Sequence, residues 1–176
     1  VTLDEWNLDA EILLNTLNQT VELPEDTSIT ADANITDESL MGDLYVPDFE
    51  TELNILVNLD VALSVEPVGQ IEATNSLSRD GILAINGSTQ ANVLINAAGF
   101  GWLKLPFNCK TIEPANFNLA WEGPIAEFGA GGIVFEGETE FSELECGWMT
   151  ALFNSLVAGP GQEYSFRLVP PAPERL

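Results

Sequence analysis

Strict alternation of apolar and polar residues constrains this chain more than any other feature. From Leu53 to Val65 every odd position is apolar (Leu53, Ile55, Val57, Leu59, Val61, Leu63, Val65), while Glu52, Asn54, Asn58, Asp60, Ser64 and Glu66 hold even ones. A period of two gives a strand one buried and one wet face, as in an antiparallel sheet, and no helix can segregate such a pattern. The same alternation places Ile29, Ala31, Ala33 and Ile35 on one side of 28–35. It sets Ile133, Phe135 and Phe141 opposite Glu136, Glu138 and Glu140, and it returns in Tyr164, Phe166 and Leu168.

Further strands are expected near 8–14, 20–23, 42–46, 69–78, 82–94 and 116–121. Turn signals separate them at Pro24, Pro47-Asp48, Pro67 to Gly69, Arg79 to Gly81 and Asn86-Gly87. Arg79, Asp80 and Gly81 between two alternating runs predict a hairpin. Many short strands with frequent turns indicate an all-β fold, and the expected architecture is an antiparallel β-sandwich of the Ig-like or Greek-key type. One short helix is expected near 148–157, where Met149, Leu152, Phe153, Leu156 and Val157 recur at helical spacing before Gly159 and Pro160. Near the N-terminus Trp6, Ala10, Leu13, Leu14 and Leu17 fit a helical stripe, whereas Ile12 and Leu14 fit a strand. No composition break marks a linker, so 1–176 reads as a single β-sandwich domain, with an extended N-terminal strand within 1–17 and a Pro-rich tail at 170–176. The strand candidate at 8–14 and the tail after Val169 could each add to a neighbouring subunit's sheet edge, although pairing within one chain is the default.

Charge narrows the partners. Five Lys and Arg stand against 28 Asp and Glu, a formal net charge of −23. Nucleic acids and anionic lipid surfaces need clustered cations, and Arg79, Lys104, Lys110, Arg167 and Arg175 are scattered. A nucleic-acid partner is therefore not expected. With 45% hydrophobic residues, nine Phe and four Trp, the chain is no disordered acidic tail. No run approaches the 18 or more apolar residues of a spanning helix; the longest of note, 97–103, ends at Lys104.

Histidine is absent. Its absence removes the Ser-His-Asp triad, Cys-His pairs, His-bound zinc and haem, and the commonest general base. Carboxylate chemistry would remain, yet with 28 carboxylates some pairs lie at glycosidase distances by chance. No catalytic residue is assigned, the protein is not expected to be an enzyme, and no cofactor is expected. Asp32, Asn34, Thr36, Glu38 and Asp43 loosely resemble a calcium loop, but Asp37 stands where its turn glycine belongs, so a solvated hairpin is the better reading and no metal is assigned. Asn18, Asn34 and Asn86 each begin a glycosylation triplet of a type common by chance.

The segment 97–107 is the best candidate for contact with something apolar, with Phe100 and Trp102 as the contact residues. Its commoner alternative is that Phe100, Trp102 and Leu105 belong to the core. Cys109 and Cys146 allow one disulfide, which in the chain-entropy description would stabilise by about 4 kcal/mol, or a pair of buried free thiols. A chain beginning at Val1 fits a secreted precursor relieved of its signal peptide, or a chain cut there for another reason.

Several of these residues occur in an order that resembles a family. Leu23-Pro24 opens a strand, a Thr- and Gly-containing hairpin runs from Thr36 to Pro47, and Cys109 is followed by Thr111 and Pro114. Cys146-Gly147 then precedes Gly159, Pro160 and Gly161. From Asn18 to Pro173 this pattern resembles a group of secreted actinobacterial proteins of the streptomycete and mycobacterial kind, from which the acidic hairpins here depart. The resemblance implies export to the extracellular cell surface and a disulfide-linked β fold, and it brings no activity to these residues. The function expected is a non-enzymatic structural or binding module that self-associates or joins the cell envelope, as a surface layer or filament. The alternative is an extracellular carrier of an apolar ligand such as lipid or hydrocarbon, held between the sheets.

Overall fold

Alternating faces pair edge to edge, and the computed structural model of this chain, which describes residues 2–54, 58–130 and 133–171, is dominated by that pairing. In chain order it forms β1 (Thr2–Leu14), β2 (Gln19–Glu22), β3 (Ser28–Asn34), β4 (Ser39–Tyr45), β5 (Phe49–Asn54), β6 (Asn58–Pro67), β7 (Ile71–Leu77) and β8 (Ile82–Phe100). There follow β9 (Leu103–Thr111), β10 (Ala115–Pro124), α1 (Ile125–Ala130), β11 (Ile133–Phe141), β12 (Leu144–Glu145), α2 (Thr150–Val157) and β13 (Gly159–Val169). A 3-10 turn at Gly147–Met149 leads into α2, so the helix expected near 148–157 is present. The all-β, antiparallel class read from the alternation is the fold observed.

The strands share one hydrogen-bonded network whose main path is β11-β13-β1-β3-β4-β7-β8-β6-β5. Two long strands organise it. The first half of β8 has β7 on one edge and β10 on the other; its second half pairs with β6 and β9. Similarly, β1 passes from β3 to β2 along one edge while β13 follows the other. The sheet twists, as right-handed strands require, until β10 lies beside β11. The facing sheets of a sandwich are here opposite walls of one curled sheet.

Between the walls lies a core whose members include Val61, Ile95, Ile133, Leu144 and Phe153, all nearly or fully buried. Phe117 of β10 meets Tyr164 edge-on at 5.2 Å and Phe166 at 5.3 Å, joining the walls through aromatic contact. Burying each such side chain contributes about 1.5–3 kcal/mol. The interior is well filled. A wholly apolar cavity of about 40 Å³ remains among residues such as Leu8, Ile12, Ile29, Phe117 and Phe166.

Several local expectations are revised. The run 53–65 is not one strand but parts of a hairpin, with Phe49 facing Leu63, Thr51 facing Val61 and Leu53 facing Leu59; positions 55–57 lie outside the described residues. Odd residues face odd residues, so the alternation keeps its phase through the reversal and reads as uninterrupted. Asn86-Gly87 makes no turn. It sits inside β8, where a side chain at Gly87 would collide with the backbone of Ala73 in β7. The ambiguous N-terminus is strand, and β1 is paired on both edges, which leaves 8–14 no free edge for a neighbour. Helix α1 was not foreseen; it carries Phe128 onto Trp6 with ring centroids 5.3 Å apart. No helix among the described residues is long and apolar enough to cross a membrane.

Candidate functional site

The β8–β9 hairpin protrudes at one end of the curled sheet. Phe100 pairs with Leu103, leaving a two-residue connection in which Gly101 takes φ +57°, a conformation that favours glycine. Trp102 therefore stands at the tip with 93% of its surface exposed. Phe100, Leu103 and Leu105 around it are each more than two-fifths exposed. The two residues singled out for apolar contact, Phe100 and Trp102, thus sit together on the surface. The core alternative fails because β8 runs on past the last buried stretch, Ala98 and Gly99, before it turns.

The aromatic surface continues along β9. Half-buried Phe107 lies 5.9 Å from Trp148, itself 78% exposed, and 5.9 Å edge-on from the buried ring of Phe153 in α2. What holds Trp148 there is covalent. Cys109 of β9 and Cys146, just before the 3-10 turn, form a disulfide, and both cysteines are buried. Thr150 secures the next step: its hydroxyl accepts from the Cys146 N–H at 2.9 Å and donates to the Gly147 carbonyl at 2.8 Å. The sequence exposed neither β9 as a strand nor the partnership of Phe107 with Trp148, because the residues are distant in the chain and meet through the disulfide.

Lys104, beside the tip, donates to Glu50 of β5 at 2.7 Å. That hydrogen bond, with the nearby charges of Glu50 and Asp60, holds the ammonium above its ordinary pKa. Lys110 lies 3.7 Å from Glu66 of β6. Both lysines of the chain are thus in β9, the strand that carries the aromatic tip.

The remaining sequence candidates lie elsewhere. Asn34 closes the β3–β4 turn, its Oδ1 accepting from the N–H groups of Thr36 and Asp37 and its Nδ2 donating to Asp37. Asp32 accepts from the Thr2 hydroxyl at 2.8 Å. These are the contacts of a solvated hairpin. Asn18 occupies an exposed turn, Asn34 ends β3 exposed, and Asn86 lies exposed within β8. At the opposite end of the molecule, where β8 begins, Leu3, Ile35, Leu77, Leu83, Ile125 and Phe128 line a second apolar concavity, of about 120 Å³. The alternation groups Ile35 with Ile29, Ala31 and Ala33 on one side of the strand; past the end of β3 it stands 58% exposed.

Fold and surface together define a disulfide-closed, all-β antiparallel protein with an exposed aromatic hairpin and a filled interior. No family model, curated protein or solved structure matches the chain.

Proposed function

We propose that this protein is an exported, non-enzymatic structural or binding module of the actinobacterial cell surface, assembling into a layer or filament and making its contacts through the β8–β9 tip. The exposure of Trp102 carries this reading. An indole held in water beside Phe100, Leu103 and Leu105, with Trp148 further along the same face, is costly unless something covers it. The disulfide supports an oxidising compartment, and the lack of histidine supports a role without proton-transfer chemistry.

The carrier alternative has less behind it. Pockets for drug-sized ligands span about 300–1,000 Å³, whereas the cavity between the walls is about 40 Å³. A surface role needs no such space.

Electron microscopy and light scattering of the native protein, together with pull-down on isolated cell envelope, test the proposal. Assembly or envelope binding that is lost in Trp102→Ser is the expected result. A protein that neither assembles nor binds envelope at high concentration would refute it.

A further inference from the structure

Two stretches of this acidic chain hold no carboxylate: 81–112 and 146–162, its two longest runs without Asp or Glu. An even spread of the 28 acidic residues would have placed more than a quarter of them there. The disulfide between Cys109 and Cys146 joins the two stretches, and Phe107 meets Trp148 across the join. Together they carry exposed Phe100, Trp102, Leu103, Leu105 and Trp148. We propose that this face docks on lipid, with the β8–β9 tip seated in the headgroup region of an electrically neutral bilayer surface. This deepens the reading of the tip as a contact surface, and rests on it.

Strand geometry separates the apolar side of the hairpin from the charged one. Leu103, Leu105 and Phe107 alternate onto the face of β9 that holds buried Cys109, and Phe100 and Ala98 of β8 stand opposite Leu103 and Leu105. Lys104 and Lys110 fall on the reverse, where they meet Glu50 and Glu66. Glu145 shares that reverse face, directly opposite Lys110. The core face of the sheet thus runs on beyond the body of the molecule. Cys109 is buried, Phe107 is half-buried against Trp148 and Phe153, and Leu105, Leu103 and Phe100 beyond it are open to water. Such a face offers nothing to an ionic partner of either sign.

Shape, depth and charge select lipid as the occupant. Trp102 ends a projecting two-residue turn, and a fluid bilayer closes around a projecting ring without a complementary recess. An indole has an apolar body and a polar N–H, the combination that settles at headgroup level. From Leu105 to Trp102 the strand rises about 10 Å, which matches the roughly 5–10 Å to which interfacial segments bury their apolar faces. A net charge of −23 opposes the approach of a second copy or of an anionic surface, whereas neutral headgroups impose no such repulsion. Copies docked in this way lie in one plane, the arrangement a surface layer needs.

Co-flotation with phosphatidylcholine vesicles, read alongside the blue shift of tryptophan emission, tests the proposal. The wild-type chain is expected to float with the vesicles, with an affinity that varies little between about 0.1 and 0.5 M NaCl because no ion pair forms. Replacing about a third of the lipid with phosphatidylserine should weaken binding. Trp102→Ser and Leu105→Ser should each reduce affinity about 10-fold or more, the effect of withdrawing one large apolar side chain from the contact. Trp148→Ser should reduce it by a smaller factor. Tyr45→Ser, which removes an exposed ring from β4, should leave it unchanged. Unaltered circular dichroism and melting certify that each variant folds.

A wild-type chain that does not float with phosphatidylcholine would overturn lipid docking. So would binding that survives both Trp102→Ser and Leu105→Ser, or tighter binding to the phosphatidylserine vesicles. In any of these cases, Trp102-dependent assembly in solution, or Trp102-dependent capture on envelope stripped of lipid, would preserve the tip as a contact surface for another partner. Absence of that dependence as well would remove both readings.

Discussion

Tyr164 shows how much one side chain can decide. It is buried in β13 opposite Gly137 of β11, and its hydroxyl reaches across to donate to the Asn118 carbonyl of β10 at 2.7 Å. Thr139 of β11 spans the same seam, donating to the Asn116 carbonyl at 2.6 Å. The crossing requires glycine, since a Cβ at position 137 would lie 2.5 Å from the Tyr164 hydroxyl oxygen. Gly137→Ala should therefore cost about 1–3 kcal/mol, as overpacking of a close-fitted site does, read as a lower urea midpoint at unchanged slope. Burial raises the Tyr164 pKa above its ordinary value of 10.0, against the lowering effect of the Asn118 bond. The folded state thus retains the phenol proton where the unfolded chain has lost it. Stability should be independent of this group below pH 10.0 and fall as pH rises from there through the folded value. Tyr164→Phe should remove that alkaline slope in urea titrations, and an unchanged slope would contradict the assignment. Thr27 offers the opposite case: it is fully buried and its hydroxyl has no hydrogen-bond partner among the described residues. Thr27→Val should leave stability unchanged or raise it by about 1 kcal/mol, because no hydrogen bond is lost and an unpaired polar group is.

At the scale of elements, β-bulges explain why strands were easier to detect than to delimit. In β1 the buried residues are Leu3 and then Leu8, Ala10, Ile12 and Leu14, a change from odd to even positions. The ladder with β3 shifts between Leu3 and Trp6, and Glu5 takes φ +47°. One extra residue reverses which parity faces the core; hence the blurred signal near the N-terminus. β8 does the same at Asn96, where its ladder with β6 shifts, moving the buried series from Ile85, Thr89, Ala91 and Ile95 to Ala98. Helix α2 was legible because Phe153 and Val157 keep a helical spacing and are buried together. Its attachment was not. Asn154 Oδ1 accepts from the buried Leu144 N–H at 2.6 Å, and the disulfide ties the same segment to β9. Asn154→Ala should lower stability by about 1–3 kcal/mol, the penalty of an unpaired buried donor. Reduction of the disulfide should lower it by about 2–5 kcal/mol. Limited proteolysis of the reduced protein, followed by mass spectrometry, should cut within 145–157 before any long strand of the curled sheet; first cuts elsewhere would show that the bridge does not anchor α2.

Across the whole molecule, charge and shape oppose each other. A net charge of −23 works against any compact state through self-repulsion. Among the described residues two ion pairs, both at exposed side chains, provide little relief. Raising NaCl from about 20 mM to 0.5 M shortens the screening length severalfold and should increase the Tm by several degrees, each 1 kcal/mol regained shifting it by about 2–4 °C in a chain of this size. A Tm that falls with salt would mean that ion pairs outweigh the repulsion. The sequence by itself determined the class of fold, because side-chain alternation along a strand is a local property and survives even a hairpin reversal. It also supplied the cysteines, the short helix near 148–157 and the pair Phe100 and Trp102. Only the tertiary structure decided that Phe100 and Trp102 face water, that Trp148 joins their surface, and that an apolar concavity lies at the far end. Exposure depends on where a strand outruns its neighbours and on which distant segments meet, and neither is written in the spacing of residues along the chain.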